Sequence, residues 1–167
     1  MKNILSMNFF NRQKKVVAEP VRPSTAAVRP ADTFKGLSVL VVDDSRTQLH
    51  AMEKILTAAG INTITAENGK QGILMARHKH PDIILMDIVM PEINGFQATR
   101  YLSRHPDTAH IPIIIISGSN QESDKAWGFK LGAREFMHKP VNRDELFAKI
   151  DMLMDERKQA ERVQHVG

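Results

Sequence analysis

Ile83-Ile84-Leu85-Met86-Asp87 decides the fold, read with Pro81-Asp82 before it and Ile88-Val89-Met90-Pro91 after it. The apolar run is too short for a helix and rich in branched chains. That is the pattern of a strand buried on both faces, in a parallel sheet covered by helices. The run ends in Asp87, a charge that is costly to leave unpaired in an apolar core. Met90-Pro91 and Asn94-Gly95 then break the strand and turn the chain. An acid at the carboxyl end of such a strand stands where open α/β sheets bind their ligands.

The same pattern recurs on both sides. Val39-Leu40-Val41-Val42 is a buried run that ends in Asp43-Asp44, and Ser45 is placed to cap a helix carrying Leu49, Met52, Ile55, Leu56 and Ala59, closed by Gly60. Ile61 to Ala66 reads as a weaker strand and Gly69 to His80 as a helix. After the central strand comes a helix through Phe96, Ala98, Thr99, Tyr101 and Leu102. Pro112 to Ile116 is a further buried run, ending in Ser117-Gly118-Ser119. Gln121 to Leu131 is a helix stopped by Gly132, and Ala133 to Met137 a short strand ending at His138-Lys139-Pro140. Asn142 caps a last helix with Leu146, Ile150, Leu153 and Met154 on one face, which Met152 to Arg162 continue as a charged, amphipathic, solvated end. Strand and helix thus alternate five times. The expectation is a doubly wound (βα)5 α/β fold with a five-stranded parallel sheet.

Composition bounds the function. An apolar fraction of 42% and a charged fraction of 25% are those of an ordinary globular chain. No cysteine is present, so disulfide and thiolate chemistry are excluded and a cytoplasmic location is expected. No apolar run approaches the ~20 residues of a membrane-spanning helix, and Met1 to Phe10 do not read as a signal peptide. The net charge of +4 belongs to the first 35 residues, which hold seven Lys or Arg and two acids. Residues 36–167 hold sixteen and seventeen, so no basic surface for nucleic acid is indicated. Residues 1–35, with Pro20, Pro23 and Pro30, read as a disordered basic leader. Within it, Phe9-Phe10-Asn11-Arg12-Gln13-Lys14-Lys15 is a candidate docking segment beside the plainer reading of a solvated tail.

Right-handed crossovers bring the carboxyl ends of the strands to one edge of the sheet. Asp43-Asp44, Asp87, Ser117 and Lys139 then meet. Three carboxylates at one edge repel unless something neutralises them, and a hard divalent cation such as Mg²⁺ suits carboxylate oxygens. A lysine and a hydroxyl supply the donors that a phosphoryl group needs. Asp87 between metal and lysine is a carboxylate nucleophile able to form an acyl phosphate.

Val41-Val42-Asp43-Asp44-Ser45, Met86-Asp87-Ile88-Val89-Met90-Pro91, Ser117, and Gly132-Ala133 with Phe136-Met137-His138-Lys139-Pro140 resemble the receiver domain of two-component response regulators over residues 37–155. Residues 156–167 would be a C-terminal helical extension or tail. The resemblance implies a flavodoxin-like receiver fold in which Asp87 accepts phosphate from a histidine kinase or its phosphotransfer domain. It implies that Asp44 and Asp87 bind Mg²⁺ directly, with Asp43 acting largely through water and the Val89 carbonyl as a further ligand. Lys139 would bridge to the phosphoryl oxygens, with a cis peptide to Pro140. Ser117 would move to the phosphate and Phe136 would rotate inward, reshaping a surface for a downstream protein target. Asn94-Gly95-Phe96-Gln97-Ala98-Thr99-Arg100 and Asp124-Lys125-Ala126-Trp127-Gly128 are most similar to the single-domain, chemotaxis-type regulators of twitching motility in type IV pilus systems.

Two positions depart from the best-known chemotaxis pattern. Val89 is apolar where a polar side chain is common, and Ser119 is uncharged where an acid often sits. Neither orients water strongly, so slow self-hydrolysis of the phosphorylated form is expected. Plainer readings stand beside these: Asp43-Asp44 as a helix-capping pair, Phe136 as core filling, and Trp127 as packing rather than a partner anchor. A nucleotide-binding domain lacks its glycine-rich loop here. An aspartyl-phosphate phosphatase would need an acid where Val89 stands. Too few residues follow the last helix for a DNA-reading output domain. Beyond self-phosphorylation and slow autodephosphorylation no enzyme activity is expected. The remaining rival to a messenger is a phosphate-sink or scaffold receiver.

Overall fold

The structure is a computed structural model that describes residues 34–164. Residues 1–33, with the Phe9–Lys15 segment, and the last three residues lie outside the described residues; at the end of the leader Phe34 is buried and stacks on Phe147, ring centroids 5.3 Å apart.

Among the described residues ten elements alternate: β1 Ser38–Val42, α1 Arg46–Thr57, β2 Asn62–Ala66, α2 Gly69–Lys79, β3 Ile83–Asp87, α3 Gly95–Leu102, β4 Ile113–Ser117, α4 Glu122–Lys130, β5 Glu135–His138 and α5 Arg143–Gln164. All strand pairs are parallel, in the order β2-β1-β3-β4-β5. The chain moves outward from β1 to β2, then returns to β3 on the other side of β1. The crevice at this reversal lies between β1 and β3, the two strands that end in acids.

Strand alternation divides the core between the two faces. Val39, Val41, Ile83, Leu85, Ile114 and Ile116 pack with Leu49, Met52 and Leu56 of α1 and with Leu146, Ile150 and Leu153 of α5. Leu40, Val42, Ile84, Met86, Ile113 and Ile115 face the other way, against Ala76 of α2, Ala98 and Leu102 of α3, and Phe136. Every residue of β3 and β4 is buried. That explains why their sequences are apolar without alternation, whereas edge strand β2 is largely half-exposed.

Local chemistry sets the helix starts. Ser45, Asn68 and Asn94 cap α1, α2 and α3, and at α3 the Gln97 side chain reaches back to the cap's own N–H. Asn142 Oδ1 accepts from the N–H of Glu145 at 3.0 Å, as the cap reading of α5 anticipates. The turn after α4 needs Gly132, whose φ is +109° and where a Cβ would meet the Ser103 side chain. The last strand begins at Glu135 rather than Ala133, which packs into the core from the preceding turn.

One expectation is corrected. Met152 to Arg162 are not simply a solvated end of the last helix. Leu153 is buried, as its place on the apolar face anticipates, but beyond it the Arg157 guanidinium donates to Asp82 Oδ1 at 3.0 Å. Arg134 and Glu156 form a second tie at 2.6 Å. These contacts hold the later turns of α5 along the edge of the sheet opposite the acids.

Candidate functional site

Val42 stands opposite Met86 in the parallel register, so Asp43 leaves β1 level with Asp87 at the end of β3. Oxygens of Asp43, Asp44 and Asp87 all lie within 4.8 Å of one another. Asp43 and Asp87 are buried, while Asp44 is exposed at the mouth. Such close acids need a cation. Lys139, just beyond β5, supplies one, its Nζ lying 2.7 Å from Asp87 Oδ1 and 3.0 Å from Asp43 Oδ2. The Lys139–Pro140 peptide is cis.

Each group is fixed from behind. Asp43 Oδ1 accepts from the N–H of Ser45 at 2.9 Å, which directs its other oxygen towards the lysine. The Lys139 N–H donates to the Ser117 carbonyl at 2.7 Å, tying the lysine to the end of β4. Ser117 is buried, and its Oγ accepts from the N–H of Ser119 at 3.0 Å, leaving the hydroxyl hydrogen available. Behind Asp87, the Gly95 N–H donates to the Ile88 carbonyl at 2.9 Å. A Cβ on Gly95 would collide with the Asp87 carbonyl oxygen, so only glycine allows α3 to start so close to the acid.

The charges do not balance. Burial holds the Asp87 carboxyl above its ordinary 3.8; the Lys139 hydrogen bond opposes this, and repulsion from Asp43 and Asp44 adds to it. Burial by itself would lower Lys139, but its hydrogen bonds to Asp87 and Asp43 outweigh that and hold the ammonium above its ordinary 10.5. One lysine among three carboxylates leaves Asp87 incompletely compensated. An all-oxygen donor set with surplus negative charge fits a hard divalent cation.

The structure thus brings together the acids and the lysine expected from the sequence, and links Ser117 to the lysine through the backbone. Val89 lies outside this cluster with an exposed side chain, 77% accessible. Phe136 is already buried here, edge-on to His138 with ring centroids 5.2 Å apart. Trp127 is half exposed on α4, with Lys130 Nζ 5.2 Å from its ring centre. Sequence reasoning missed two features: the close approach of Gly95, and a contact of 2.9 Å between His138 Nδ1 and the Ser119 carbonyl. The Asn94-Gly95 pair signalled the first only as a turn, and nothing in the order of residues signals the second.

The chain matches the response regulator receiver domain family over residues 39–151. It is 44% identical to Protein PilH of Pseudomonas aeruginosa over 116 residues, covering 70% of this chain and 96% of that protein. It is 33% identical to Protein PilG of the same organism over 115 residues, covering 69% and 85%. Among solved structures, the Vibrio cholerae chemotaxis protein CheY4 superposes with a TM-score of 0.66 at 26% identity, covering 70% of this chain and 98% of that one. The protein belongs to the receiver family of two-component response regulators, and it is similar to the chemotaxis-type regulators of twitching motility that its sequence resembles. Receivers are signalling modules rather than turnover enzymes. Among the described residues no helix is long and apolar enough to cross a membrane.

Proposed function

We propose that this protein is a cytoplasmic response regulator that takes a phosphoryl group on Asp87 from a histidine kinase or its phosphotransfer domain and signals by changed protein binding. The observation that carries the reading is the Lys139 ammonium set between Asp87 and Asp43 at 2.7 and 3.0 Å. A carboxylate oxygen of Asp87 attacks phosphorus as the bond from phosphorus to the donor's imidazole nitrogen breaks. The electron pair leaves with the imidazole, which takes up a proton. Lys139 then exchanges its contact with the carboxylate for one with a phosphoryl oxygen, and the Ser117 hydroxyl donates to another.

Asp43, Asp44, Asp87 and the Val89 carbonyl would hold Mg²⁺, which when bound supplies the positive charge that balances the incoming phosphoryl oxygens. Phe136 and the β4–α4 segment would carry the change to the surface around Trp127, where a downstream protein binds. The similarity to PilH and PilG supports a role in motility or chemosensory signalling.

The test is incubation with acetyl phosphate and Mg²⁺ followed by intact-protein mass measurement. Wild type should gain one phosphoryl group. Asp87→Ala and a sample containing chelator should gain none; labelling of Asp87→Ala at the wild-type level would refute the assignment.

A further inference from the structure

The end of β5 carries a residue that the proposed reaction does not use. His138 projects from the strand next to Lys139 with its side chain exposed. Its Nδ1 lies 2.9 Å from the Ser119 carbonyl. A carbonyl oxygen only accepts, so the ring must donate through Nδ1–H. Ser119 is held on its other side as well, because its N–H donates to Ser117 Oγ at 3.0 Å. One side chain therefore bonds the segment that positions the Ser117 hydroxyl. The same ring meets Phe136 edge-on, at 5.2 Å and 65°.

We infer that His138 is a positioning residue that latches the β4–α4 segment, Gly118 to Gln121, in its resting place and so opposes the movement of Ser117 towards a phosphoryl group on Asp87. The inference rests on the function proposed above and names a control on it. Ser117 cannot advance while its Oγ stays bonded to the Ser119 N–H unless Ser119 follows. Ser119 cannot follow without stretching its carbonyl away from His138. The resting state therefore holds a hydrogen bond that the switched state loses. A bond of this kind biases a two-state equilibrium by roughly twofold to tenfold, with an exposed site falling towards the lower end.

Trp127, the only tryptophan of the chain, stands on α4, the helix that this segment leads into, and is the optical probe of the test. The full-length protein would be titrated with beryllofluoride, a phosphoryl mimic, at fixed Mg²⁺, following Trp127 emission; Asp87 labelling by acetyl phosphate would be measured in parallel by mass. His138→Phe keeps a ring against Phe136 but cannot donate, and should reach half-response at about twofold to tenfold lower beryllofluoride. His138→Asn places an amide N–H donor near the Nδ1 position and should return to the wild-type midpoint. A midpoint for His138→Phe equal to or above that of wild type would overturn the latch while leaving the function intact. So would a His138→Asn midpoint that follows His138→Phe. A wild type that is neither labelled nor responsive would overturn both.

Discussion

Lys139 and Asp87 lie 2.7 Å apart as an ion pair in which both partners have raised affinity for protons. The lysine is raised because two carboxylates share it, and the acid because burial and two neighbouring acids outweigh one lysine. In the bare protein Asp87 is therefore a liability to stability. Its folded pKa lies above the unfolded value, so between the two the native state keeps a proton that the unfolded chain has lost. Stability then falls as pH rises through that interval and stays lower at neutral pH. Lys139 acts oppositely, contributing stability below its ordinary 10.5 that is lost as pH rises through the higher folded value. Asp87→Asn should thus raise the melting temperature at pH 7 without Mg²⁺ by an amount on the order of a few degrees. Mg²⁺ should raise it in wild type more than in the variant. Thermal melts with chelator and with excess Mg²⁺ check this, and a variant that melts lower than wild type in chelator would contradict the charge count.

Val89 has its side chain open to solvent two residues after Asp87 and offers no polar atom to orient a water. The acyl phosphate should accordingly hydrolyse slowly. Val89→Asn adds a donor and an acceptor at an exposed position, where the fold tolerates change, and should shorten the lifetime by roughly tenfold, the scale of one well-placed hydrogen bond in a transition state. Phosphate release after removal of the donor measures both proteins. Equal, rapid loss from each would end the argument.

Gly95 stands where the chain leaves the site to begin α3, and a Cβ there would collide with the Asp87 carbonyl and crowd Ile88 Cα. The atoms in the way are backbone, so they cannot rotate aside. Gly95→Ala should destabilise the protein by about 1–3 kcal/mol, the scale of overpacking a filled space. The same displacement should shift the β3–α3 loop and with it the Val89 carbonyl. Mg²⁺ binding, read by titration calorimetry on the folded variant, should weaken as well. Unchanged melting and unchanged Mg²⁺ affinity would show that the loop accommodates a methyl group freely.

How much of this was legible in the sequence follows from the range of each interaction. The strands β1, β3 and β4 announce themselves because burial on both faces demands an unbroken apolar run, and the acids and hydroxyl that end them mark the functional edge. Caps at Ser45 and Asn142 are readable because they act over three residues, whereas Asn94 reads only as a turn until the structure shows it capping α3. Lys139 could be placed in the site by topology and by resemblance. The His138–Ser119 contact could not, because an exposed histidine and a backbone carbonyl carry no pattern. The docking of the end of α5 was misread for a related reason. Arg157 looks like any charged residue on a solvated helix until the fold brings Asp82 to it from 75 residues away.

That contact yields a prediction of its own. Asp82 Oδ2 accepts from both the N–H of Ser38 at 2.9 Å and the Ser38 hydroxyl at 3.0 Å, while Oδ1 takes the Arg157 guanidinium at 3.0 Å. One carboxylate thus joins the beginnings of β1 and β3 to the late turns of α5. The two halves of this arrangement should differ in worth. Arg157→Ala removes a partly exposed ion pair and should cost about 0.2–1 kcal/mol, less in high salt. Asp82→Ala also strips the acceptor from a backbone N–H at the head of a central strand and should cost about 1–3 kcal/mol. The double variant should cost little more than Asp82→Ala alone, because the arginine has then already lost its tie to the sheet and keeps only Glu161, one turn along its own helix at 3.1 Å. Urea unfolding of the three variants tests the scheme, and strictly additive costs would show that Arg157 contributes through something other than Asp82. The site is at the opposite edge of the sheet, so phosphorylation of Asp87 should proceed at the wild-type rate in the folded Arg157→Ala protein.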